Sequence, residues 1–238
     1  MPHIHVLDQI TIDKIAAGEV IERPASIVKE LVENAIDAGS TSVKIEIKDG
    51  GISFIRITDN GCGIPQDEVQ RAFLRHSTSK IETVEDLSHI ASLGFRGEAL
   101  SSIAAVTRTE LITKTADAEF GTRYVIEGGK EVSLEDTGAP NGTTFLVHQL
   151  FYNVPARRKF LKNNNVEFRH IIDEFQRVAL AHENLDFELF HNDDIIFRLR
   201  KSSLLQRIIE IFGKYSSGKS LLAFQLAKNC QKMGGMVF

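Results

Sequence analysis

From residue 24 to residue 38 the chain carries its most constraining pattern. Ile27, Val28, Leu31, Val32, Ala35 and Ile36 recur at the spacing of a helix with one buried face. Pro24 suits the first helical position and Gly39 stands just past the end, so the spacing predicts a helix over 24–38. Such a helix has to lie on an apolar surface, and the next residues supply one. Residues 43–47 alternate as a half-buried strand, Asp49-Gly50-Gly51 makes a turn, and a second strand with Ile55 and Ile57 on one side delivers Asp59 to its end. Asn60-Gly61-Cys62-Gly63-Ile64-Pro65 is too rich in glycine to continue a ladder and reads as a tight loop.

A helix is expected over 65–73, followed by a long polar connection from Arg75 to Gly94, of the kind that often serves as a functional lid. A short helix starts after 94–100. Strand-like runs cover 110–114, 123–127 and 143–147, and a helix over 166–181 precedes a hairpin turning at Asn192-Asp193-Asp194. The expected fold class is α+β: a two-layer sandwich of helices on one face of a mixed, largely antiparallel sheet. The amphipathic pattern restarts near Ser202, which divides the chain into a first domain over 1–201, with a lid at about 75–100, and the start of a second α/β domain over 202–238.

With 238 residues and 42% hydrophobic content the chain can bury a full core. A net charge of -4 argues against a protein held to nucleic acid by its overall charge, though a local basic patch stays open. Cys62 and Cys230 lie too far apart for a zinc-type pair, and no apolar run approaches the length that spans a bilayer. Together with an N-terminus lacking a basic start and apolar core, this points to a cytoplasmic home.

Glu30, Asn34 and Asp37 fall together opposite the apolar stripe of the first helix, where residue type alone gives a solvated polar face. Three further features follow in order: Asp59 before a Gly-x-Gly loop, the glycine-rich stretch Gly94 to Gly97, and Gly142-Thr143-Thr144 opening a strand. Each alone is weak. Together they resemble the ATP-binding fold (Bergerat type) shared by gyrase B, histidine kinases, heat-shock chaperones and the MutL mismatch-repair family. The chain is most similar to MutL through Ala16-Ala17-Gly18-Glu19-Val20, Arg23-Pro24-Ala25-Ser26, Lys29-Glu30-Leu31-Val32-Glu33-Asn34 and Asp37-Ala38-Gly39. Asp59 to Ile64, Phe95-Arg96-Gly97-Glu98-Ala99-Leu100 and Pro155-Ala156-Arg157-Arg158-Lys159-Phe160-Leu161 extend the match over roughly the first two hundred residues.

The resemblance implies a slow, Mg²⁺-dependent ATPase acting as a conformational and dimerisation switch in DNA mismatch repair. It makes Asn34 the Mg²⁺ ligand, through a neutral amide oxygen beside the phosphates. Glu30, one turn earlier, becomes the base that takes a proton from the attacking water. Asp59 accepts from the exocyclic amine of adenine with Thr143 in support, Gly63 lets the backbone approach the base, and Ala38 lines the site. Gly94, Phe95, Arg96, Gly97, Glu98, Ala99 and Leu100 bring backbone N–H groups to the phosphates at a helix start. Thr78, Ser79 and Lys80 add donors, Lys80 reading equally well as a solvated loop charge. Arg96 and Glu98 read better as an ion pair fixing loop shape than as catalysts. Implied partners are a MutS-type mismatch sensor, DNA, a downstream nuclease or helicase, and a second copy of the chain on ATP binding, with no membrane.

Other signals compete. Residues 213–220 fit the P-loop pattern by letter, but the preceding residues have helical spacing where a buried strand is required, so the match is coincidental. His3 and His5 lack the further ligands of a metal site, and Cys62 needs only to be small. The basic run Arg157, Arg158, Lys159 and Lys162 suits DNA phosphates and a solvated loop equally. The family continues into a full second domain that supplies a lysine to the γ-phosphate, and the tail from about Leu226 departs from its pattern. Two alternatives therefore stand beside the ATPase: an ATP-binding interaction module without turnover, and a DNA-binding scaffold.

Overall fold

A computed structural model of the chain describes residues 6, 8–78, 93–94 and 97–213. Ser79, Lys80, Phe95, Arg96, His3, His5, most of the connection expected as a lid, the P-loop-like stretch beyond Gly213 and the tail from Leu226 lie outside the described residues.

Asp8 opens the first helix, α1 (Gln9–Val20), by accepting from the Thr11 N–H at 3.0 Å. Sequence periodicity does not mark this helix, because Ile12, Ile15, Ala16 and Ala17 are spread around it without forming a stripe. The predicted central helix is α2 (Pro24–Asp37). Arg23 before it is extended, Pro24 takes the first helical position, and Gly39 beyond it adopts φ 72°, the left-handed conformation that ends helices. Ile27, Val28, Leu31, Val32 and Ala35 of the predicted stripe are buried, Ile36 is half-buried, and Pro24 and Ala25 are buried besides.

The chain then forms β1 (Ser42–Lys48), a 3-10 turn at Asp49–Gly51, β2 (Phe54–Asp59), α3 (Gln66–Ala72), α4 (Ala99–Val106), β3 (Arg108–Lys114) and β4 (Gly121–Glu127). Next come β5 (Lys130–Thr137), β6 (Gly142–His148), the single turn α5 (Pro155–Arg158), α6 (Asn164–Ala181), β7 (Asp186–His191), β8 (Asp194–Leu199) and α7 (Leu204–Phe212). At Gly50, with φ 65°, an added Cβ would lie 2.3 Å from the Asn164 carbonyl oxygen, so the turn and the start of α6 meet backbone to backbone. The strand β5 is not among the expected strands: Val132 and Leu134 alternate with Ser133 and Glu135, but the run is short, its flanks are charged and none of its residues is buried. Its other signal is Gly128-Gly129, both at positive φ, as a two-residue hairpin requires.

The eight strands form one sheet in the order β5-β4-β3-β6-β2-β1-β7-β8. Neighbours are antiparallel except β1 and β7, which run parallel with Ser42 opposite Asp186, so the sheet is mixed and largely antiparallel as expected. One face carries Val43, Ile45, Ile47, Ile55, Ile57, Leu111, Phe145, Val147, Phe187 and Leu189, all buried in a single cluster with α2, α4 and α6. The other face is kept wettable by charge: Arg56 and Lys44 pair with Glu46, Arg123 with Glu110, and Arg198 with Glu188. Beyond residue 201, α7 docks on α6 and β8 through Arg207. Its fully buried guanidinium donates to the carbonyls of Ala179, Glu183, Leu185 and Arg200 at 2.7–3.0 Å.

Candidate functional site

The end of β2 is the best-defined corner of the site. Register places Asp59 opposite Thr143 on β6, and both are buried. The backbone N–H groups of Gly61 and Thr143 donate to the Asp59 carboxylate, Gly61 at 2.7 Å. Burial outweighs these donors and pushes the carboxyl up to about 6. A threonine pair backs the corner: the hydroxyls of Thr113 and Thr143 lie 3.2 Å apart, and the Ile64 N–H donates to the Thr113 hydroxyl at 2.8 Å.

The loop leaving Asp59 is tied to the C-terminal end of α2. The Cys62 N–H donates to the Ala38 carbonyl at 3.0 Å, and Asn60 accepts from the N–H groups of Thr41 and Ser42 at 2.8 and 3.0 Å. Gly63 has φ 74°, and a Cβ there would sit 2.2 Å from the Lys114 carbonyl oxygen. The glycine is thus required by β3 and the backbone conformation, a reason the sequence reading, which assigned it to close approach of a base, did not contain.

One turn before Ala38, Asn34 is half-buried on α2, and Glu30 one turn earlier still is half-buried too. Lys29 Nζ lies 3.8 Å from the Glu30 carboxylate and 3.6 Å from that of Glu33. Burial chiefly raises the Glu33 carboxyl, with Lys29 opposing and Glu30 and Asp37 adding to the rise. Glu30 also lines a polar groove of about 360 Å³ between α2 and α6, with Arg23, Lys29 and Asp173.

Asp37, the last residue of α2, accepts from two successive backbone N–H groups, Leu93 to Oδ1 at 3.2 Å and Gly94 to Oδ2 at 3.3 Å. The Gly94 amide therefore serves the protein itself. Gly97, at φ 64°, abuts Ser77, whose carbonyl oxygen would lie 2.5 Å from an added Cβ. Glu98 stands at the N-cap position of α4 without a side-chain capping bond, and its carboxylate lies 3.2 Å from His76 Nδ1. The first intrahelical bond of α4 runs from the Ser102 N–H to the Glu98 carbonyl, so the amides of Ala99 and Leu100 precede the ladder, as at any helix start. Thr78 follows Ser77 directly in the chain.

Of the basic run, Arg157 turns inward and donates to the Gly18 carbonyl at the end of α1, where it is packed so closely that a Cβ on Gly18 would overlap it. Arg158, Lys159 and Lys162 are exposed, as is the Phe160 ring between them at 81%. The structure thus unites Asn34, Ala38, Asp59, Gly63 and Thr143 around one helix end and sets Gly94 beside it through Asp37. The holding roles of Asp37, Asn60 and Thr113 are not expected from the sequence: Asp37 and Asn60 stand beside the assigned Ala38 and Asp59, while Thr113 has no assigned neighbour in the chain.

The fold and this corner define a class. Residues 22–138 match the family model described as histidine kinase-, DNA gyrase B- and HSP90-like ATPase. Within that class the chain belongs to the MutL family of ATPase domains. It is 61% identical over 222 residues to the DNA mismatch repair protein MutL of Agathobacter rectalis, covering 93% of this chain and 34% of that protein. It is 49% identical over 234 residues to MutL of Parabacteroides distasonis, covering 98% and 38%. Among solved structures, the Aquifex aeolicus MutL ATPase domain complexed with ADP aligns with TM-score 0.66 and 34% identity over 82% of this chain and 70% of that one. The chain spans about a third of the length of the full-length MutL proteins it matches.

Proposed function

We propose that this chain binds Mg²⁺-ATP and hydrolyses it slowly, serving as the nucleotide-driven switch of a MutL-type mismatch-repair protein. The observation that carries the reading is the buried Asp59 carboxylate, joined through Thr143 and the loop on Ala38 to the helix that bears Asn34 and Glu30. A buried carboxylate with an unfavourable environment is retained where it recognises something, and the exocyclic amine of adenine is the matching donor. Thr143 supports that contact, and Ala38 and Gly63 form the wall beside it.

Glu30, Glu33, Asn34 and Asp37 of α2 offer a metal ion oxygen donors only, the amide nitrogen of Asn34 being no ligand. Such hard donors fit magnesium, which takes few protein ligands and keeps phosphate and water oxygens. Asn34 would hold the ion through its amide oxygen, and the bound ion would neutralise charge on the phosphates. Glu30 accepts a proton from a water as that water's oxygen bonds to the γ-phosphorus and the bond to the bridging oxygen breaks. Gly97 and the start of α4, with Glu98, Ala99 and Leu100, face the phosphates; Thr78, Ser79, Lys80, Phe95 and Arg96 complete that side by resemblance. Dimerisation on ATP binding and partnership with a mismatch sensor, DNA and a nuclease or helicase belong to this reading, as does a cytoplasmic location. Among the described residues no helix is long and apolar enough to cross a membrane.

Phosphate release by the wild-type chain and by Glu30→Ala tests the assignment. A fall of about 10²-fold or more in the variant, with ATP affinity kept, is expected for a lost base. Equal rates sink the role of Glu30, and tight binding with no turnover in the wild type favours the interaction-module alternative. Exposed Arg158, Lys159 and Lys162 support a second contribution, to DNA binding.

A further inference from the structure

We propose that Asp37 is a positioning residue for the phosphate end of the nucleotide, a role that rests on the Mg²⁺-ATP reading. Its carboxylate spans two successive amides, one oxygen to Leu93 at 3.2 Å and the other to Gly94 at 3.3 Å. The location is electrostatically poor for a carboxylate. Asp37 ends α2, where the helix dipole is negative, and its charge adds to the rise at half-buried Glu33. The two N–H donors act against these fields, and the same bonds fix the backbone that supplies them.

The consequence lies in which residues share the helix end. Ala38, the next residue, holds the Asp59 loop through its carbonyl, and Asn34 stands three residues before Asp37 on the same helix. Side chain 37 thus holds the phosphate-side segment while backbone 38 holds the adenine-side loop. One rigid helix terminus sets the distance between the two ends of the bound nucleotide, and the magnesium ligand is registered to both. Holding reacting groups from a single rigid element is how orientation contributes to rate and affinity.

The test compares Asp37→Ala and Asp37→Asn with wild type in calorimetry with ATP and with adenosine, alongside amide hydrogen exchange at Leu93 and Gly94 without nucleotide. Asp37→Ala is expected to weaken ATP about tenfold, the scale of losing hydrogen bonds to a charged group, and to leave adenosine unchanged. Asp37→Asn, which keeps one acceptor oxygen, falls between. Exchange at Leu93 and Gly94 speeds up in both variants, a readout that survives if Asp37→Ala folds poorly, since Asn preserves shape. Unchanged exchange, or equal weakening of ATP and adenosine, overturns the positioning role alone. A wild-type chain that binds neither ligand overturns the nucleotide reading and this role with it, even where exchange behaves as expected.

Discussion

Asp59 shows how one residue ties function to cost. Its carboxyl is raised from 3.8 to about 6, so between those values the folded chain binds more protons than the unfolded one. Stability from this group is therefore greatest in acid and declines as pH rises through that window, by up to roughly 3 kcal/mol for a shift of this size. Asp59→Asn removes the charge and keeps an acceptor for the Gly61 N–H. Urea unfolding at pH 8 is expected to show the variant more stable by about 1–3 kcal/mol while calorimetry shows adenine-nucleotide binding lost. A variant that is less stable, or that still binds, contradicts the assignment. In the wild type, ATP affinity should fall as pH drops below about 6, because protonation replaces an acceptor with a donor facing the adenine amine. At this scale the sequence was generous, since Asp59, Asn34 and Glu30 stand in recognisable strings. It was silent on Asp37 holding Gly94, because a contact across 57 positions leaves no local pattern.

At the scale of elements, legibility followed amphipathicity. The helices α2 and α6 bury one side and the central strands alternate, so both periods were visible. The edge strand β5 has no buried residue to impose a pattern, and in α1 the apolar residues form no stripe, the helix being capped by Asp8 and held by Arg157 at Gly18. The helix α7 was legible as a helix, but its attachment was not, since that depends on one buried arginine meeting four carbonyls from four separate positions. Arg207→Ala strands those carbonyls and is expected to cost roughly 3–5 kcal/mol by urea unfolding. Chains ended after residue 201 and after residue 213 should differ in the same direction, the longer being harder to unfold. Equal midpoints for the two lengths place no stabilising role on α7.

For the whole molecule, net charge and local charge point different ways. The chain is at -4 overall, yet Arg158, Lys159 and Lys162 are all exposed, as is Phe160 among them in the chain. If these residues meet DNA, changing all three to Glu should abolish binding to a short single strand, and wild-type affinity should fall steeply with salt. Binding indifferent to both would reduce the patch to a solvated loop. The parallel pairing of β1 with β7 has a different consequence, in the order of assembly. The N-terminal strand β1 acquires its second neighbour only from residues 186–191, across most of the described chain. On a ribosome, β1 would present an open hydrogen-bonding edge until α6 and β7 had been made, because a parallel partner cannot arrive by a short hairpin. The nascent chain is then most exposed to mispairing in the interval when β1, β2, β3, β4, β5 and β6 can already associate and α6 has yet to carry β7 back across the sheet.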